Sequence, residues 1–529
     1  MIHPGKRYLI YARAGIRFFL GLRRSFRPPL DSNIAQSVVR ERFARRDQDF
    51  LNLARRFIYE SGTNPYRHLL RHAGCEYGDL EDLVRRDGLE GTLTVLFRNG
   101  VFLTVDEFKG RQPVVRGTFR ETFKPADLTN PTAVLYFVGH SSGSRGERTP
   151  VPFDLAFVRE HAVNRRLSLE ARGALGWRHA ICGSAGGGEM AIVLRFALCG
   201  AAPERWFTPV DPRVPGLPLS YRWSGFAMRM GGLAAGVSLP APVPVSPDAL
   251  FPIVEWMRQI LAEGETPHLK TYASMAVRVC RTAAEAGVDL SGAQFTLTGE
   301  PLSQARLDAV ARSGAWAAPD YGSTEVGQVG EPCVAPGAPD DVHLLEDLHG
   351  IIQAGTEGKP YGLPSGALLI TSLRTTAPYI LLNVSMGDEA RLTARTCGCP
   401  LEGYGWRRHL HAIRSFEKLT SGGMTFFDTD VARVLEELLP SRFGGAPTHY
   451  QLVEEEGPGG EPRLSLRVDP AVGPVDSKRV ADVFLRALGD ASPGDRSMEL
   501  MWRGIDVLRV VRASPLMTPS GKILHLHRE

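Results

Sequence analysis

Five short segments of the 529-residue chain carry side chains suited to a phosphorylated substrate. Ser141-Ser142-Gly143-Ser144-Arg145-Gly146 packs three hydroxyls and two glycines into six residues, and Glu147-Arg148 follows. Backbone N–H groups and hydroxyls in such a loop can face a phosphate chain. The same composition also reads as a flexible polar loop, and without a GK[ST] ending it is no Walker A loop. Thr298-Gly299-Glu300-Pro301-Leu302 is the second segment. The third, Asp320-Tyr321-Gly322-Ser323-Thr324-Glu325, joins an aromatic face for a base to a hydroxyl and a carboxylate suited to Mg²⁺ and phosphate. Met386-Gly387-Asp388 places a carboxylate in a turn, where it can accept from two ribose hydroxyls. Ser520-Gly521-Lys522-Ile523 stands close to the C-terminus. Taken singly, each segment is also explicable as a turn.

Lysine is scarce. Only eight of the 62 basic residues are lysine, at positions 6, 109, 124, 270, 359, 418, 478 and 522. A lysine within a motif, such as Lys522, therefore points to a site that needs a compact single-point charge, which the planar arginine fork does not replace. A second glycine cluster, Gly183-Ser184-Ala185-Gly186-Gly187-Gly188, follows a strand pattern and opens a helix, but lacks G-x-G-x-x-G spacing. It reads as a close-packed turn.

Cys397-Gly398-Cys399, with Cys333 ten residues before His343, offers three thiolates and an imidazole, a closed tetrahedral set for structural Zn²⁺. His349, His409 and His411 are rival fourth ligands, and three buried free thiols are the alternative. Cys75, Cys182, Cys199 and Cys280 fall in helix or strand patterns and read as core. There is no Ser/His/Asp series that would argue for a hydrolase.

The elements that must position these residues fall into two groups. Up to about residue 130 the pattern is mainly helical, with a short β stretch expected from Leu93 to Val105. From Ala133 to Ser385 strands and helices alternate, which predicts mixed sheets covered by helices. The last 115 or so residues read as a compact ββαβ unit of two strands joined by GPGGE, an amphipathic helix and a third strand. The expected fold is thus a large α/β domain over 1–413, with a helical extension over 1–90, and a small α+β lid over 414–529.

Composition excludes several classes. Hydrophobic content of 43% with 23% charged residues is that of a globular protein. The net charge of 62 − 58 = +4 gives no case for nucleic-acid binding. No run of eighteen apolar residues spans a bilayer. Scattered cysteines without a cleavable signal pattern suggest a cytoplasmic setting. Near the N-terminus, Tyr8 to Leu22 reads YLIYARAGIRFFLGL between basic residues. A surface helix packed on the domain is the main reading, and a helix resting on a membrane is the other.

In their order, the five nucleotide-handling segments and a basic residue at the expected hinge, Arg414, resemble the adenylate-forming superfamily of acyl-CoA synthetases, luciferases and nonribosomal adenylation domains. Within it the chain is most similar to the phenylacetate–CoA ligase branch, over roughly residue 90 to the end. Some relatives in that branch carry a similar Cys/His set. The resemblance implies that Ser141, Ser142, Gly143, Ser144 and Gly146 hold the ATP phosphates. Gly299, Glu300 and Pro301, with Asp320 and Tyr321, would line the adenine pocket. Thr324 would contact phosphate, Glu325 would ligate Mg²⁺, and Asp388 and Arg414 would bind ribose. Lys522 would bridge the attacking carboxylate and the α-phosphate. Phe226, Tyr272, Gly322 and Ser323 are candidates for the acid pocket.

Arg145 and Glu147 stand where the family carries threonine and lysine. Phe416 and Glu417 stand where the branch carries paired aspartates. The activity implied is ATP-dependent activation of a carboxylic acid, then acyl transfer to CoA. An amine or a carrier protein are alternative acceptors, and a nucleotide-binding scaffold is the non-enzymatic alternative. The oligomeric state stays open, a dimer included.

Overall fold

The computed structural model describes residues 17–140, 149–214, 219–246, 249–300, 302–416, 419–421, 424–426, 431, 433–456, 462–489, 493–504, 507–516 and 526–528. The N-terminal part is helical, with helices Ser32–Ala44, Arg46–Ala54, Tyr66–His72 and Tyr77–Arg98. The last of these overturns the strand expected from Leu93 to Val105. Leu89 and Leu93 are four apart, Leu96 and Phe97 follow Leu93 by three and four, and all are buried, so one helical face is satisfied. Tertiary burial there overrides a β-rich local composition. All that remains of the strand is an isolated parallel bridge between Leu103 and Val384.

The alternating section builds a six-stranded sheet, parallel throughout. Its spatial order is Trp316–Pro319, Gln294–Thr298, Pro267–Tyr272, Arg178–Cys182, Arg205–Thr208 and Pro242–Pro244. The strand Pro267–Tyr272 is buried along its whole length. Such strands need helical cover on both faces, and helices Leu155–Ala171, Gly187–Leu198, Phe251–Ala262 and Ala273–Glu285 alternate with them in the chain. The strand Phe137–His140, which leads into residue 141, lies outside this sheet; among the described residues it pairs with Pro150–Phe153, antiparallel.

A second, antiparallel sheet of seven strands follows. Its order is Tyr321–Ser323, Gly327–Pro332, Val342–Leu344, Arg408–Ser415, Val384–Ala394, Ala367–Ser372 and His349–Gln353. The C-terminal part is a four-stranded sheet, ordered Leu508–Arg512, Pro462–Val468, Tyr450–Glu456 and Leu526–Arg528. It carries the expected hairpin and the helix Ser477–Gly489. It also holds a helix absent from the expected ββαβ unit, Pro493–Gly504, and the short closing strand Leu526–Arg528.

Candidate active site at the carboxyl edge of the parallel sheet

Four neighbouring strands of the parallel sheet each run directly into a residue of interest. Arg178–Cys182 leads to Gly183, and Pro267–Tyr272 ends at Tyr272. Gln294–Thr298 leads to Gly299, and Trp316–Pro319 leads to Asp320. Because the strands are parallel, these residues share one edge, the carboxyl edge where open α/β sheets bind ligands.

The edge is tightly built. Gly299 has a φ of 76°, and a side chain there would begin 3.1 Å from the Tyr272 ring. Glycine both admits the left-handed turn and leaves room for the aromatic ring. The Tyr272 hydroxyl donates to Glu189 Oε1 at 3.0 Å. Glu189 lies in the first turn of the helix Gly187–Leu198, and burial pushes its carboxyl upward. A Cβ on Gly183 would come within 2.8 Å of the Glu189 side chain. A Cβ on Gly187 would collide with the backbone of Val138. The second glycine cluster is therefore the close-packed turn the sequence suggests, and it joins the site.

Asp388 is carried to this edge by the antiparallel strand Val384–Ala394, and Gly387 precedes it with a φ of 88°. The Tyr321 hydroxyl donates to Asp388 Oδ2 at 3.0 Å. Burial, then the neighbouring carboxylate, drives the Tyr321 phenol well above its usual range. Arg414 lies in the next strand, paired in register with Glu389, and its guanidinium meets that carboxylate at 3.0 Å with the side chain 63% exposed. Gly322 and Ser323 form the strand that turns back on Gly327–Pro332, and Ser323 Oγ accepts from the backbone N–H of Val326 at 3.3 Å.

At the other end of the segment, a Cβ on Gly139 would lie 3.3 Å from Thr324 Cγ2. The strand leading into residues 141–148 thus packs on Thr324. Glu325 is buried, and Lys109 Nζ stands 3.6 Å from its carboxylate with both side chains almost wholly covered. Glu300, by contrast, meets Arg306 Nη1 at 3.3 Å.

Asp320 differs from the other carboxylates. It is buried, with Arg165 Nη2 at 2.8 Å and Lys270 Nζ in direct contact on the same oxygen. Burial opposes its charge, yet Lys270 and Arg165 hold its carboxyl well below the usual carboxylate range. Burial in turn lowers the Lys270 ammonium, against the pull of Asp320. Arg165 also reaches Glu331 at 3.0 Å.

Lys109, Lys270, Arg165 and Glu189 escaped the reading of the sequence. The scarcity of lysine was the available signal. Two of the eight lysines prove to be buried against site carboxylates, although neither lies in a recognisable motif.

The cysteine and histidine set also assembles. One ligand atom each from Cys333, His343, Cys397 and Cys399 lies within 4.8 Å of all the others. His343 Nδ1 donates to the Trp406 carbonyl at 2.7 Å, which turns Nε2 toward Cys399 Sγ at 3.0 Å and Cys397 Sγ at 3.6 Å. A backbone bond that fixes the second nitrogen is how ligating imidazoles are oriented. Three thiols and an imidazole at these separations suit Zn²⁺. Of the rivals, His349 Nε2 bonds the Gln328 carbonyl at 2.8 Å, and His409 bonds Asp341 at 2.7 Å. His409 and Asp341 could still form a three-residue set with Cys333. His411 is in neither set.

Ser141, Ser142, Gly143, Ser144, Gly146, Pro301 and Lys522 lie outside the described residues. Phe226 is 54% exposed on the outer face of the helix Leu219–Ala235, with its ring against Trp223.

No protein-family model matches the chain, and no curated protein matches it. Among solved structures the chain is similar to a 2-hydroxyisobutyryl-CoA ligase solved with 2-HIB-AMP and CoA. Identity is 16%, the match covers 92% of this chain and 90% of that one, and the TM-score is 0.54. An amide bond synthetase from Marinactinospora thermotolerans matches at 14% identity over 87% of this chain and 81% of that one. Its TM-score of 0.39 is too low to bear on the chemistry. The chain shares the fold of that CoA ligase, a large α/β part followed by a smaller α+β part.

Proposed function

We propose that the chain is an AMP-forming ligase. A carboxylate oxygen of the substrate attacks the α-phosphorus of ATP, the bond to the β-phosphate oxygen breaks, and pyrophosphate leaves an acyl- or aryl-adenylate. The thiol of CoA then attacks the acyl carbon, forming a thioester as AMP departs and the thiol proton is released. The carrying observation is the convergence of Gly183, Tyr272, Gly299 and Asp320 on four adjacent strand ends, with Asp388 brought to Tyr321 from 67 residues away.

In this reading Gly299, Glu300, Pro301, Asp320 and Tyr321 line the adenine pocket, and Asp388 and Arg414 take the ribose hydroxyls. Thr324 and the 141–146 loop hold the phosphates, and Glu325 holds Mg²⁺. When bound, that ion offsets phosphate charge. Lys522 supplies charge between two anions that must meet, so catalysis is positioning and neutralisation. The boundary expected at residue 413 falls inside the strand Arg408–Ser415, so in this reading residues 1–415 form the nucleotide-binding unit and the chain beyond them is the lid that brings Lys522.

The test is pyrophosphate exchange across a panel of carboxylic acids. Lys522→Ala should cut adenylate formation by about two to three orders of magnitude, the scale of one lost charge-stabilising donor. Transfer from a supplied acyl-adenylate should change far less. Lys522→Arg should rescue poorly, and Lys478→Ala should behave as the parent. Equal losses in both steps, or none in the first, would overturn the assignment. Product mass with CoA, an amine or a carrier protein present identifies the acceptor. ATP binding without exchange for any acid would favour the scaffold reading.

We also propose that Cys333, His343, Cys397 and Cys399 hold one structural Zn²⁺. With all four positions filled by protein, the ion stabilises the antiparallel sheet and leaves no place for substrate. Elemental analysis should find one zinc per chain, lost in a Cys397→Ser, Cys399→Ser variant whose thermal stability falls more than its exchange activity. No metal above background in the parent protein would refute the set.

A further inference from the structure

Two helices on one side of the molecule present an apolar face to solvent. In the helix Leu219–Ala235 the exposed residues Trp223, Phe226, Met230 and Leu233 recur every three or four positions, with Arg222 and Arg229 among them. Leu233 is 75% exposed and Trp223 62%. The opposite face, with Ser224, Met228, Gly231 and Gly232, is buried. This inverts the usual arrangement of a surface helix, whose apolar stripe faces the core.

The helical stretch 17–25 packs against it. A Cβ on Gly231 would come within 2.9 Å of both Phe18 and Leu22, so glycine lets the two helices meet closely. Phe18 and Leu22 are buried, as a helix packed on the domain requires, but Leu20 is 68% exposed. Leu20, Arg23, Arg24 and Arg27 line one shallow depression.

The charge on the two helical stretches has one sign. Residues 17–30 carry Arg17, Arg23, Arg24 and Arg27, the helix Leu219–Ala235 carries Arg222 and Arg229, and neither contains an acidic residue. The whole chain carries 58 acidic residues against 62 basic, so the segregation is local and is not a property of the composition. Large apolar side chains interleaved with arginines and free of acids match the boundary of an anionic bilayer: arginine heads reach lipid phosphates while Trp, Phe, Met and Leu enter the acyl boundary. Among the described residues no helix is long and apolar enough to cross a membrane, so the contact is with the surface.

We propose that this two-helix platform docks the protein on anionic membrane surfaces. A protein partner, or a second copy of this chain, is the competing occupant. The full chain should co-sediment with vesicles of about equal phosphatidylglycerol and phosphatidylcholine at physiological salt, and not with pure phosphatidylcholine. Binding should weaken as salt screens the arginines. A Trp223→Ser, Leu233→Ser variant and an Arg23→Glu, Arg24→Glu, Arg27→Glu variant should each lose at least tenfold in vesicle affinity. Their melting curves should match the parent, since every substituted side chain is exposed. Three results would overturn the proposal. They are no sedimentation with anionic vesicles, equal binding to both vesicle types, and a dimer by analytical ultracentrifugation that the Trp223, Leu233 variant dissolves.

Discussion

Asp320, which precedes Tyr321 in the chain, and Asp388, which accepts from the Tyr321 hydroxyl, were expected to serve the same nucleotide, and they stand in two different environments. Asp320 is buried with a lysine and an arginine on one of its oxygens. Asp388 is partly exposed, and its side-chain hydrogen bond comes from a neutral tyrosine hydroxyl. A carboxylate already matched by two buried cations has little left to offer a ligand, whereas one held by a single neutral donor has acceptor capacity to spare. Under the proposed function, Asp320 braces the edge and Asp388 is the carboxylate offered to the ribose.

The largest test of this difference is Asp320→Ala. It leaves Lys270 and Arg165 buried without their shared partner and should cost about 3–5 kcal/mol of stability by denaturant unfolding. Because the folded-state carboxyl is held below its unfolded value, its stabilising contribution is present above about pH 4 and is lost as pH falls further. A stable Asp320→Ala protein with only weakened nucleotide binding would break the contrast. Asp388→Ala should do the reverse. Nucleotide affinity should fall by about 1.5–3 kcal/mol, the range for a hydrogen bond to a charged group, with unfolding barely changed. Calorimetric titration with a nucleotide reads this directly.

Glu325 lies between these extremes, with Lys109 at 3.6 Å. Lys109→Met should cost about 1–3 kcal/mol in stability, for one buried carboxylate left less compensated. Lys109→Arg should restore part of that stability. A Lys109→Met denaturation midpoint equal to the parent's would mean that this ion pair does not brace Glu325.

The candidate site was legible where function needs particular residue types in a fixed order. Gly299 and Asp320 converge because each follows a strand of the parallel sheet, and such strand ends can be read from a buried apolar run followed by Gly or Asp; Tyr321 opens a strand of the antiparallel sheet and Asp388 lies within another. The Cys/His set was legible from spacing, although Cys333 and the Cys397–Cys399 pair come from segments some sixty residues apart. The supporting cations were not. Arg165 sits inside a helix and Lys270 inside a strand buried along its length, positions where periodicity predicts only core. Phe226, a candidate for the acid pocket, stands instead on a helix that turns an apolar face outward, an orientation that local pattern does not record.

The sequence alone determined the alternation of strands and helices, the hairpin near the C-terminus, the order of the nucleotide-handling segments and the presence of a metal-competent donor set. These are local properties, set by turn-forming residues, hydrophobic period and residue chemistry over a few positions. Tertiary structure decided that Leu93 is helical, that two rare lysines end on site carboxylates, and that Asp320 is a braced wall while Asp388 is held by a neutral hydroxyl. Those outcomes depend on which distant groups share a low-dielectric interior, where burial and charge pairing compete over separations that no local pattern records.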